Sequence, residues 1–389
     1  MPASSSSPIL DALDHLGPSA DELDADPVSV LEALTKVADP RKRRGVRHGL
    51  AGVLAVGVCA VLAGARTFTA IAEWAHDLPA GVRIRLGLGR TVPSESTIRR
   101  VLQAVDAEAL DAVVSAWLAT HVTQSTPAPA GRRAIAIDGK TARGARGRDG
   151  RQVHLLGALD HTSGVVLGQT VVDGKTNEIN AFAPLLDRID LTDVLVTADA
   201  MHTQHRHATY LTARGAHYLL TVKRNQPTLH RQLRDLPWAR VPVADRTPHK
   251  GHGRIESRTV KLVAVSAGIG FPHARLAAQV IRRRRSLTGV NWRTETVYAV
   301  TDLAWEDIRP DQIADALRGH WAIENRLHWI RDVVFAEDHS QVRTGNGPAV
   351  MATLRNLAIS IHRLIGATNI AAACRDVSRH PNRVLRLVT

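Results

Sequence analysis

The sequence is short of the residues that staple or anchor a chain. Its two cysteines, Cys59 and Cys374, are too few for a disulfide framework or a cysteine metal knuckle, so a reducing, cytoplasmic setting is expected. The N-terminus is polar and acidic rather than basic then apolar, so no secretory signal peptide is expected. The longest apolar run, "LAGVLAVGVCAVLAGA" (50–65), falls short of the roughly 18 or more residues that a membrane helix needs. Being mostly Ala, Gly and Val, it reads as a buried helix. No internal repeat is present.

What the chain does have is length and positive charge. At 389 residues it can hold two or three domains and a sizeable core. Lys and Arg number 50 against 37 acids, a net charge of +13. Such an excess points to a polyanionic partner, nucleic acid before an anionic membrane surface.

The charge is unevenly spread. Residues 1–25 form an acidic, Ser-rich leader, and the sign flips at "PRKRRGVRH" (40–48). Helical patterns follow through 26–124, among them "SESTIRRVLQAVDAEALDAVVSAWLATHV" with Ser94 or Ser96 as N-cap. A capped basic helix beside a cation cluster suits DNA binding, and a packing or dimerisation domain is the alternative. "STPAPAG" (125–131) is a linker, since alternating Pro and small residues neither pack nor continue a helix.

Beyond the linker the period becomes strand-like. "AIAIDG", "QVHLLGALD" and "GVVLGQTVV" read as three strands, followed by helix, strand "VLVTADA", helix, and strand "HYLLTVK". That order of elements is that of a ribonuclease-H-like α/β sheet, an analogy of pattern. Residues 225–300 are basic and β-leaning, with a long hairpin turning near Ser286–Asn291. Helical period returns after 300, so the α/β core is expected over 132–224 and 301–370, with a basic tail at 371–389.

Asp138 ends the first core strand and Asp199 the fourth. In such a sheet these strands are neighbours, and two carboxylates that close need a cation between them. An all-oxygen donor set favours Mg²⁺ or Mn²⁺. A two-metal phosphodiester site needs a third carboxylate, for which Glu324 in "GHWAIENRLHWIRD" is the candidate and Glu337 or Asp338 the alternative. A strand-ending Asp is often only a turn former. The cations Lys140, Arg143 and Arg146 beside Asp138 favour the other reading, in which the carboxylates hold metal and these cations neutralise the phosphates brought to it.

At these residues the chain resembles the DDE transposases of bacterial insertion sequences, in particular the ISAs group with its H-repeat-associated proteins. The landmarks are "AIDGKTARG", "KTNEI" (175–179), "TADAMHTQ" (197–204), "YLLTVKRNQ" (218–226), "HGRIESR" (252–258) and "HWAIENRLHWIRDVVFAED" (320–338). The resemblance implies a ribonuclease-H-like core with a β-rich insertion and an N-terminal all-α domain. It implies a triad of Asp138, Asp199 and Glu324 that is catalytic and binds Mg²⁺ or Mn²⁺, two ions in all. It also implies cleavage at the ends of a mobile element and transfer of the freed 3′-hydroxyl to target DNA. The partners are then terminal inverted repeats and target DNA, with a homodimer as the working complex.

The wider superfamily surrounds its Glu with Y-x2-R-x3-E-x6-K, where this chain has Leu317, His320 and Arg331. His320 and Arg331 can still donate to phosphate, and Leu317 cannot. His202, Lys223, Arg254, Arg258 and Asn325 complete the expected DNA contacts, with Trp292 stacking on a base beside "RRRR" (282–285). For that stretch a solvated turn is the plainer reading, and for His202, His205 and His207 a polar helix start. Glu256 is equally a salt-bridge partner for its arginines. Two further functions stay open: an inactive or domesticated DNA-binding protein, and a nuclease without strand transfer.

Overall fold

The structure is a computed structural model that describes residues 29–388 apart from 45, 126–130, 147–149, 151, 173–176, 252 and 266–268. The acidic leader and most of the expected linker therefore lie outside the described residues. The chain divides into two compact units, one of 1–125 with 345–389 and the other of 126–344.

The helical unit opens with α1 (Val30–Leu34), α2 (Leu50–Leu62), α3 (Phe68–His76), α4 (Ala80–Arg85), α5 (Glu95–Ala104) and α6 (Ala107–Ser125). The apolar run forms α2, which is buried along nearly its whole length. A helix apolar on all sides has to lie inside a packed core. Among the described residues no helix is long and apolar enough to cross a membrane. Ser94 caps α5 as expected, its side chain accepting from the Thr97 N–H.

Among its described residues the second unit is built on one nine-stranded sheet. Its strands are β1 (Ala134–Arg146), β2 (Gln152–Asp160), β3 (Val166–Val172), β4 (Leu195–Ala198), β5 (His217–Val222), β6 (Asp245–Gly251), β7 (Arg254–Ala264), β8 (Leu276–Ser286) and β9 (Arg293–Thr301). They lie in the order β3-β2-β1-β4-β5-β9-β8-β7-β6. β1, β2 and β3 pair antiparallel, while β4 runs parallel to both β1 and β5. Ile135, Ala136 and Ile137 are all fully buried, as a central strand covered on both faces requires. The crossovers between these parallel strands are α7 (Glu178–Leu186), before β4, and α8 (His205–Ala213), before β5.

The basic segment 225–300 carries α9 (Pro227–Arg234) and then continues the same sheet, because β9 pairs antiparallel with β5. β8 and β9 form the expected hairpin around 287–292. Next comes α10 (Pro310–His320), whose Ile313, Ala314 and Ala316 bury against Leu195, Leu219, Val260, Leu276 and Ala299 of the sheet. Five residues of π-helix, 324–328, then lead into α11 (Trp329–Val333).

The rest of the chain rejoins the helical unit as α12 (Gly347–Leu364), α13 (Ile370–Arg379) and α14 (Pro381–Val388). The expected core ran to residue 370, so here the structure differs. Residues 347–362 of α12 are all buried, and Leu354 presses on α2 where Gly57 leaves room, a Cβ there lying 3.2 Å from Leu354 Cδ1. A helix so completely covered belongs with the helices that cover it.

Candidate active site

Asp138 does not end its strand. β1 runs eight residues past it, to Arg146, paired with β2. What ends is the partner: the parallel β1–β4 pairing stops at Ile137 and Ala198. Asp138 and Asp199 are thus the next residues on two adjacent strands, beyond the last paired positions. The Asp199 side chain turns to accept the Met201 N–H at 2.9 Å, capping the 3₁₀ turn 200–202.

Glu324 reaches the same place from the other end of the second unit. The π-helical turn that it opens has five residues per hydrogen-bonded step, a form that concentrates at functional sites. Its side chain is 57% exposed, while His328, four residues on, is buried. His328 Nδ1 lies 3.0 Å from Glu324 Oε2 and 3.6 Å from Asp138 Oδ2. One imidazole therefore joins both carboxylates. The His328 hydrogen bond holds Glu324 below the usual carboxylate range against the effect of burial. Burial pushes Asp138 up, opposed by His328 and reinforced by the negative charges of Asp199 and Glu178.

Donor atoms of Asp138, Glu324 and His328 lie within 4.8 Å of one another. Asp199 acts on Asp138 electrostatically but is not in that set among the described residues. It lines a cavity of about 230 Å³ with Lys223, His320 and Trp321, while Glu324 and His328 line a polar one of about 410 Å³. The donor set fits a hard divalent cation. Two carboxylates converge beside the His328 nitrogen, and the half-buried Asp138 carboxylate, crowded by like charge, is the group a cation would stabilise in its ionised form.

The cations expected to meet DNA fall into two groups. Arg143 is 77% exposed, 3.8 Å from Asp338, and Arg146, Lys223 and Arg254 are also exposed. Asn325 is exposed as well, its Nδ2 donating to the Trp321 carbonyl. Trp292 is exposed, with the guanidinium groups of Arg283 and Arg285 at 5.2 and 5.3 Å from its ring centroid. Lys140 is buried, its ammonium 2.6 Å from Asp332 and 3.8 Å from Asp338, so its charge is spent inside the protein. Arg258 and Arg282 both donate to the buried Glu256. Burial pushes Glu256 up, but the two arginines outweigh it and hold it at about 2, which makes Glu256 their partner.

Three expected contacts need correction. Arg331 is 2% exposed, and its guanidinium makes two bonds to Glu337, at 2.8 and 2.9 Å, plus one to Gln169. It cannot reach a phosphate, and Glu337 is thereby removed as an alternative metal ligand. His202 is fully buried, bound to Glu178 and facing Phe182. His320 is driven by burial to about 4, so at neutral pH it can give a phosphate a neutral ring N–H but no positive charge. Leu317 packs against the sheet core, which explains an apolar residue there.

Two residues of this neighbourhood escaped the sequence. His328 sits four positions after Glu324, the spacing that places two side chains on one helix face. Glu178 lies within "KTNEI" and receives hydrogen bonds from His154 at 2.6 Å and His202 at 3.1 Å.

Residues 129–361 match the family described as Transposase DDE domain, and residues 31–118 the one described as DDE_Tnp_1-associated. The chain is similar to YncI of Escherichia coli O157:H7, which is named as a transposase, at 30% identity over 356 residues, 86% of this chain and 87% of that protein. It is also similar to the H repeat-associated protein YhhI of Escherichia coli K12, at 26% identity over 347 residues, 85% of this chain and 89% of that protein. With the larger part of its length matched in this way, the chain belongs to the DDE transposase family, and within it to the H-repeat type.

Proposed function

We propose that the protein is an insertion-sequence transposase that hydrolyses DNA phosphodiesters at the ends of its element and joins the freed 3′-hydroxyl to target DNA. The observation that carries this reading is the meeting of Asp138 and Glu324, far apart in sequence, at His328 beside the Asp199-bearing strand end. The strand order β3-β2-β1-β4-β5, three antiparallel then two parallel, supports a ribonuclease-H-like core, with β6 to β9 as its β-rich insertion.

Asp138, Asp199 and Glu324 would hold Mg²⁺ or Mn²⁺. When bound, such ions supply Lewis-acid charge to a phosphodiester displacement and to its leaving oxygen. The chain's own groups do the rest by position. His328 Nδ1 orients the Glu324 carboxylate and steadies it in its ionised form. Arg143, Arg146, Lys223 and Arg254 present exposed positive charge for the DNA backbone. Two subunits acting together on paired DNA ends, in the cytoplasm at the nucleoid, complete the proposal.

The test incubates purified protein with Mg²⁺, a supercoiled target and labelled fragments carrying the element's terminal repeats. Joined product supports the reading. Cleavage without joining indicates a nuclease, and a band shift alone a DNA-binding protein. Strand cleavage retained by Asp199→Ala would refute the triad.

A further inference from the structure

Glu178 is a buried carboxylate for which the proposed chemistry has no use. It opens α7, where the helix dipole favours negative charge, and it is 2% exposed. Burial pushes it up, yet the bonds from His154 and His202 outweigh that and hold it at about 2. An ionised carboxylate only accepts, so both imidazoles present Nε2–H to it. On the far side of His154, Nδ1 meets the Thr141 hydroxyl at 2.9 Å, which fixes that ring. Among the described residues His202 Nδ1 is buried without a partner, and its ring faces Phe182 and stacks on His207.

These partners are not scattered. His154 lies on β2 and pairs in register with Thr141 of β1, three residues beyond Asp138. His202 closes the 3₁₀ turn that Asp199 caps. Gly139, next to Asp138, has no side chain, and a Cβ there would lie 2.5 Å from Glu178 Oε1. Glu178 thus touches the backbone behind one aspartate and binds the turn behind the other.

We infer that Glu178 is a positioning residue for the two aspartates: clamped by His154 and His202 against Gly139, it sets the spacing of the Asp138 and Asp199 segments and so the site's hold on a divalent cation. The inference rests on the metal site proposed above. A group that orients ligands without touching the metal commonly changes metal affinity by roughly 10- to 100-fold when replaced.

The experiment measures Mn²⁺ binding by the full-length protein, using the electron paramagnetic resonance of free Mn²⁺, with no DNA and no turnover. Glu178→Gln keeps the shape but can accept from only one histidine through its single carbonyl oxygen, and it should bind Mn²⁺ about tenfold more weakly while circular dichroism shows an intact fold. Gly139→Ala changes no charge and pushes the carboxylate off its seat, so it should lose a similar factor. It decides the matter alone if Glu178→Gln fails to fold. The double variant should be no weaker than the weaker single, because both break one contact. No Mn²⁺ binding by the wild-type protein overturns the site reading and this inference together. Wild-type binding that Glu178→Gln and Gly139→Ala both retain, or losses that simply add, overturns this inference alone.

Discussion

His328 Nδ1 stands 3.0 Å from Glu324 Oε2, and the same nitrogen is 3.6 Å from Asp138 Oδ2, so one buried helix position faces an acidic pair. His328→Ala removes the donor that holds Glu324 in place. Strand cleavage should fall about 10- to 100-fold, with band shifts on end DNA unchanged. Equal cleavage rates in the variant and the wild type would show that the imidazole is only packing.

Arg331 and Glu337 form a buried pair with two parallel bonds, and breaking one partner strands the other charge. Arg331→Met should cost about 3–5 kcal/mol in urea unfolding, and Arg331→Met with Glu337→Leu should recover most of it. Loss of DNA affinity in a folded Arg331→Met protein, without loss of stability, would return this arginine to the DNA surface.

Glu256 gives a pH dependence with a definite sign. Its folded value of about 2 lies below its ordinary 4.5, so its contribution is fully present above pH 4.5 and drains away as pH falls toward 2. Wild-type protein should lose on the order of 2–3 kcal/mol more than Glu256→Gln across that window. Parallel stability curves for the two proteins would mean that Arg258 and Arg282 do not hold it.

Arg143 and Lys140 stand three residues apart on β1 but should behave differently. Arg143→Ala should reduce the salt slope of DNA binding by about one and leave stability alone. Lys140→Ala should leave the slope nearly unchanged and destabilise the protein, because Asp332 and Asp338 lose their shared cation. A reversal of the two results would contradict the burial of Lys140.

Much of this architecture is legible in the sequence. Short alternating or apolar runs gave β1 to β5 and the helices between them, because strand and helix periods are written locally in side-chain type. The hairpin of β8 and β9 followed from a polar turn between β-rich flanks. Family landmarks pointed to the three acids. The insertion was legible as β-rich, yet not as strands continuing the same sheet, since edge-to-edge pairing of β9 with β5 is a long-range choice.

The sequence by itself determined the identity of the elements, the positive charge and the acids at the edges of the β1–β4 pairing, since these depend on neighbours along the chain. Only the tertiary structure decided which charges are free. Lys140 and Arg331 look like Arg143 in sequence, but each meets carboxylates brought close by folding, and burial makes that pairing obligatory. Glu178 follows the same rule, its role arising from register and packing between segments. His328 is half legible, since its spacing from Glu324 is a local helix pattern while its approach to Asp138 comes only from folding.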